Sequence, residues 1–276
     1  MKRHEWGAVA ALALGVVIVA SVLCSTARAG DAVRFRQHLP MYVSTNYSDS
    51  DDWSDENAPY LKAQASMAAS ILRSPVVIGP VSVDPELAFT WRAVNWPVGA
   101  ESSPIMENNY LPEAFIRVNE DEAGWFRGGR IGWLHNSTGT GGAPDSTDPS
   151  GSIDRVLLES KFAHTLTVGE KPLYITGYVR GWYTISTGAE TVGIEDYINF
   201  AAWEDAGGEV MVAIETDAIR AVVTLGLSYQ QYEAYIPFYA AYDLSFFGQL
   251  HHGNADGLLD YEDRHTSGGV GIALLR

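Results

Sequence analysis

The chain has 276 residues, of which 46% are hydrophobic and 11% aromatic, and a formal net charge of −16. Such an acidic balance makes nucleic acid a poor partner and a divalent cation a more natural one. The one cysteine, Cys24, rules out an intramolecular disulfide framework and a cysteine-rich metal centre.

The N-terminal stretch MKRHEWGAVAALALGVVIVASVLCSTARAG has a basic start at Lys2 and Arg3, an apolar run from Gly7 to Leu23, and Ala27-Arg28-Ala29 at its end. This is the pattern of a secretory signal over residues 1–29, cleaved after Ala29, which leaves 30–276 as a single domain. The apolar run is nearly as long as the roughly 20 residues of a membrane helix. The small-x-small site and the polar residues beyond it favour cleavage. Losing the leader removes Cys24 and three basic residues, so the mature chain has no thiol and is more acidic still.

Beyond Gly30 there is no sustained period near 3.6. Instead, apolar and polar residues alternate over stretches of about ten, broken by Gly, Asn, Asp, Ser or Pro. Predicted strands are 41–47, 60–72, 84–95, 110–119, 126–137, 152–164, 172–183, 193–203, 208–216, 219–229, 233–249 and 266–275. An even meander of this kind reads as all-β: an antiparallel transmembrane β-barrel of about twelve strands. In 152–162 one parity is Asp154, Val156, Leu158, Ser160 and Phe162, and the other is Arg155, Leu157, Glu159 and Lys161. In 110–118, Ala114, Ile116 and Val118 oppose Glu113 and Arg117. Apolar residues facing lipid and ion pairs facing inward suit a barrel; a soluble sandwich would bury the apolar face and expose the charges.

Aromatic residues near strand ends (Trp96, Tyr110, Trp125, Trp182, Tyr183, Trp203, Tyr229, Tyr232) resemble interfacial girdles. Segments 48–58, 96–109, 136–151 and 251–265 read as long polar loops, and 73–83, 120–125 and 204–207 as shorter turns. His251 and His252 read as loop residues rather than a metal pair.

One strand end stands apart. In GWLHNSTG, Gly132 to Gly139, His135 and Ser137 share the parity of Ile131 and Trp133, because residues two apart point to one side of a strand. Asp154 lies on the corresponding face of the next strand. Read alone, HNST is ordinary loop chemistry. On a lipid-facing wall, however, three polar groups are costly and point to function. A serine, a histidine and a carboxylate together are the equipment of acyl transfer. No Gly-x-Ser-x-Gly elbow is present, which disfavours a soluble α/β-hydrolase.

Four blocks resemble the outer membrane phospholipase A family of Gram-negative bacteria: ESSPIMENNYLPEAF (101–115), GWLHNSTG (132–139), SGSIDRV (150–156) and GLLDYEDRHTSGGVGIAL (257–274). They occur in the family's order, within a likeness over roughly 58–276. The resemblance implies a calcium-dependent phospholipase A with lysophospholipase activity, active as a homodimer in the outer membrane, with membrane glycerophospholipids as substrate. It makes Ser137 the nucleophile, His135 the general base and Asp154 the orienting group, where the family has asparagine. It makes Ser102, given across the dimer, Ser150, Thr140 by its carbonyl, and Glu190 the Ca²⁺ ligands. The loop after Thr138 is longer than the family's, so Asp145 or Asp148 is an alternative to Thr140. Calcium, with backbone N–H groups near Thr138 and Gly139, would stabilise the oxyanion. The alternative reading is a catalytically silent barrel, a pore or a structural protein.

Overall fold

The computed structural model describes residues 34–48, 59–95, 105–120, 124–139, 151–189, 206–253 and 265–275. They form β1 (Arg34–Gln37), β2 (Met41–Ser48), β3 (Tyr60–Ser70), β4 (Val76–Ile78), β5 (Val81–Asn95), β6 (Ile105–Glu120) and β7 (Phe126–Gly139). The second half supplies β8 (Gly151–Val168), β9 (Lys171–Ala189), β10 (Ala206–Glu215), β11 (Arg220–Gly226), β12 (Tyr229–Tyr239), β13 (Leu244–Gly253) and β14 (His265–Leu274).

Twelve of these strands close on themselves. From β5 to β14 each is antiparallel to the next, β14 returns to β2 from Leu274↔Met41 to Ser267↔Ser48, and β2 reaches β5 through β3. Closure leaves no sheet edge whose backbone groups would lie unpaired in hydrocarbon. The short β1 adds to one end of β3, and β4 adds to the start of β5.

The two faces are as different as the alternation requires. Outward residues are apolar, with Ile131, Leu158, Val179 and Val270 all more than half exposed. The lumen holds charge. Arg130 lies between Glu113 at 2.8 Å and Glu159 at 3.1 Å, Arg180 joins Glu159 at 2.5 Å to Glu209 at 3.1 Å, and Lys161 is 3.4 Å from Glu159. Arg117 meets Glu86 at 3.0 Å, and Arg155 lies over the Trp182 ring. Between β1 and β2 the chain turns inward. His38 Nε2 sits 2.7 Å from Glu113 Oε1, with its ring stacked on Phe115. Around these groups an interior cavity of about 370 Å³ remains.

Several expectations are corrected. The segment 233–249 is two strands, because Ala240 to Asp243 turn the chain between β12 and β13. Asp243 closes that turn with φ 54°, its N–H donating to the Ala240 carbonyl at 3.3 Å. Aspartate tolerates the left-handed region, so the turn needs neither Gly nor Pro. The expected strand 193–203 lies outside the described residues. Of the expected short turn 204–207, Ala206 and Gly207 are strand and open β10, and 204 and 205 lie outside the described residues. Trp182 and Tyr229 face the lumen rather than the girdle: Trp182 lies under Arg155, and Tyr229 donates a hydrogen bond to Glu209. His251 and His252 belong to β13 and point to opposite faces, with His251 buried.

Candidate active site

β7 approaches β6 closely at the start of GWLHNSTG. A Cβ on Gly132 would fall 2.3 Å from Phe115 Cβ and 2.5 Å from the Ala114 carbonyl oxygen, so only glycine fits between them. From there the outward parity of β7 runs Ile131, Trp133, His135, Ser137. The β7–β8 register sets Trp133 opposite Val156, His135 opposite Asp154 and Ser137 opposite Ser152. Directly opposed residues on one face have Cβ atoms roughly 4.5–5.5 Å apart, close enough for the side chains to meet.

They do meet at the central pair. His135 Nδ1 and Asp154 Oδ1 are 2.9 Å apart, each side chain about a quarter exposed, at 27% and 25%. The imidazole stacks on Trp133 at 5.8 Å between ring centroids. One nitrogen held by a carboxylate and one ring face held by an indole fix the imidazole's plane and leave Nε2 for a second partner. Ser137 lies two residues along, roughly 6.6 Å at Cα on strand geometry. Its hydroxyl donates a long 3.5 Å hydrogen bond to the Tyr110 carbonyl of β6 instead of to His135. A serine–histidine contact of this kind is often loose until substrate binds.

The sequence pattern did not single out the residues around the pair. Pairing of β6 with β7 passes from Tyr110↔Ser137 to Glu113↔Leu134, skipping Leu111 and Pro112. Pro112 has no N–H to give, so beside His135 the ladder on this side is interrupted and β8 holds the strand. Pro112 lies within the block ESSPIMENNYLPEAF, but its place across from His135 needed the register.

The four residues assigned to calcium, Ser102, Thr140, Ser150 and Glu190, lie outside the described residues, as do Asp145 and Asp148. The strand ends that lead to three of them are described and adjacent: Thr138 pairs with Gly151, and Gly151 with Ala189. In sequence, Thr140, Ser150 and Glu190 follow or precede these paired positions by one or two residues. Hydroxyl, carbonyl and carboxylate oxygens are the donor types a hard cation such as Ca²⁺ takes. Thr138 and Gly139 are still paired with Asn109 and Asn108.

The fold and this wall define a class: a closed twelve-stranded β-barrel that carries a histidine–carboxylate pair and a serine, the groups of an ester hydrolase, on its outer face. The profile of the family described as Phospholipase A1 matches residues 32–274. The chain belongs to that family, whose members are carboxylic-ester hydrolases. Phospholipase A1 of Salmonella typhimurium is 26% identical over 250 residues, covering 84% of this chain and 78% of that protein. Phospholipase A1 of Escherichia coli K12 is 27% identical over 238 residues, covering 81% and 72%. Among solved structures, an asparagine-to-alanine active-site mutant of Escherichia coli outer membrane phospholipase A superposes with a TM-score of 0.64 at 18% identity, over 87% of this chain and 91% of that one. The calcium-bound dimer of the Salmonella typhi outer membrane phospholipase gives 0.62 at 20% identity, over 87% and 92%. These structural likenesses establish the barrel fold.

Proposed function

We propose that the chain is a calcium-dependent phospholipase A of the Gram-negative outer membrane, hydrolysing acyl esters of membrane glycerophospholipids through Ser137, His135 and Asp154. The observation that carries this reading is the 2.9 Å His135–Asp154 contact on the outer wall, with Ser137 two residues further along the same face. Asp154 accepts a hydrogen bond from Nδ1–H and so leaves Nε2 as the basic nitrogen. Ser137 attacks the ester carbonyl carbon while His135 Nε2 takes its proton. As the tetrahedral adduct collapses, that proton passes to the departing glycerol oxygen. Water, deprotonated by the same nitrogen, then releases the fatty acid and restores Ser137.

Calcium, held by Ser150, Thr140, Glu190 and Ser102 of a second copy, would supply positive charge for the developing oxyanion. A ligand donated across the interface would make the homodimer the active form. The Salmonella typhi structure, a dimer with bound calcium, supports this assignment. The apolar wall around the pair supports a substrate that arrives from the bilayer rather than from water.

Fatty-acid release from phospholipid–detergent micelles tests the reading. Wild type in calcium should release fatty acid, while Ser137→Ala and wild type in chelator should not. Equal release by wild type and Ser137→Ala would remove Ser137 from the chemistry. No release by the folded wild type in calcium would leave a catalytically silent barrel.

A further inference from the structure

β1 and β2 lie end to end along one edge of β3, with Gln37 paired to Met67 and Tyr42 to Gln64. Between those two rungs β3 has two residues, Ala65 and Ser66, while the strand beside it has four, His38 to Met41. Four less two leaves two surplus residues, and an even surplus keeps the same side chains of β2 facing the lumen. A plain strand would have closed the barrel without them. The chain takes them up as an enlarged bulge that folds into the lumen.

The fold is held by neutral side chains set around it. The Leu39 N–H donates to Ser66 Oγ at 3.2 Å, Gln37 Nε2 donates to the Leu39 carbonyl at 2.8 Å, and Gln64 Nε2 donates to the Pro40 carbonyl at 2.6 Å. Pro40 has no N–H to satisfy. At the tip His38, only 4% exposed, lies with Nε2 2.7 Å from Glu113 of β6 and 3.2 Å from Arg130 of β7, its ring stacked on Phe115. In the sheet order β6 is three strands from β2. At about 4.8 Å per strand that is roughly 14 Å round the wall, so the fold bridges the lumen rather than lining it. Next to it, Tyr42 stacks on Phe247, and Phe247 lies against Tyr235. Leu39 and Pro40 line the interior cavity together with His251, which is near the long-connection end of β13. Towards the short turns, Arg36 and Arg117 both meet Glu86.

We propose that the inward fold at His38 to Pro40 is a seal. It divides the lumen between the cavity and the short-turn end, so that the barrel carries chemistry on its outer wall without conducting ions or small solutes. Polar barrel interiors conduct where they stay open and are closed in others by an inserted segment. The proposal rests on the outer-membrane reading above and is independent of the catalytic one.

Single-channel recording tests it, with the whole folded barrel in planar bilayers bathed in potassium chloride. Wild type should hold the current at the bare-bilayer level. Deleting His38 and Leu39 removes the surplus, leaves Pro40 and Met41 opposite Ala65 and Ser66, and should give discrete current steps. His38→Gly keeps the chain length but loses the bridge to Glu113 and Arg130, and should give smaller, briefer steps. Heat-modifiable gel mobility and flotation with vesicles establish that each protein is folded and inserted. Current steps in wild type, or none in any folded and inserted variant, would overturn the seal while the outer-membrane reading stands. Folded wild type that does not insert would remove that reading and the seal with it.

Discussion

Replacing Asp154 separates orientation from charge in the proposed machinery. Its Oδ1 accepts from His135 Nδ1 at 2.9 Å, and with both side chains about a quarter exposed the contact is neither fully buried nor fully screened. At 1.36 kcal/mol per tenfold, a hydrogen bond with one charged partner, roughly 1.5–3 kcal/mol, corresponds to a loss of kcat of about 10- to 150-fold in Asp154→Ala. In Asp154→Asn the amide oxygen can still accept from Nδ1, and only the charge that steadies the imidazolium is lost. The remaining neutral bond is weaker by about 1 kcal/mol, so the loss should be about fivefold. Because the pair acts on the transition state, KM should stay within about twofold in both variants. Initial rates of fatty-acid release across a substrate series, with calcium held constant, give kcat and KM separately. Full kcat in Asp154→Ala would refute the assignment of Asp154 as the orienting group. A loss confined to KM would place it in lipid binding instead.

Glu159 receives Arg130, Arg180 and Lys161 in the lumen, so Glu159→Gln should destabilise the barrel by about 3 kcal/mol by leaving buried cations under-compensated; urea-driven unfolding in micelles measures it. Gly132→Ala drives a Cβ into Phe115 and the Ala114 carbonyl and should cost about 1–3 kcal/mol, with activity falling as β7 shifts against β6. The lipid-facing wall can be mapped by arginine. Val270→Arg, mid-strand on β14, should lower folding stability in vesicles by about 2–4 kcal/mol. Val168→Arg, at the end of β8 beside a two-residue turn, should lower it by only about 0–1 kcal/mol.

The period-two reading placed His135, Ser137 and Asp154 on one face because parity along a strand needs no knowledge of partners. It also separated the ion-paired lumen of Glu113, Arg117, Glu159 and Lys161 from the apolar wall. It failed where register or turn chemistry decides. The Ala240–Asp243 turn carries no Gly or Pro, so β12 and β13 read as one strand. The inward turn of His38 onto Glu113 joins residues 75 apart in sequence, which no local pattern shows. The Tyr110 carbonyl beside Ser137 likewise emerges only once β6 and β7 are aligned.

The central claim is that Ser137, on the outer wall of the barrel, is a nucleophile activated by His135. An alkyl sulfonyl fluoride presented in micelles with calcium reports this directly, because only an activated hydroxyl displaces fluoride. Mass spectrometry of the digested protein should find the sulfonyl group on the peptide holding Ser137 in wild type, and none in His135→Ala. Modification at another residue, or undiminished modification of Ser137 without His135, would contradict it.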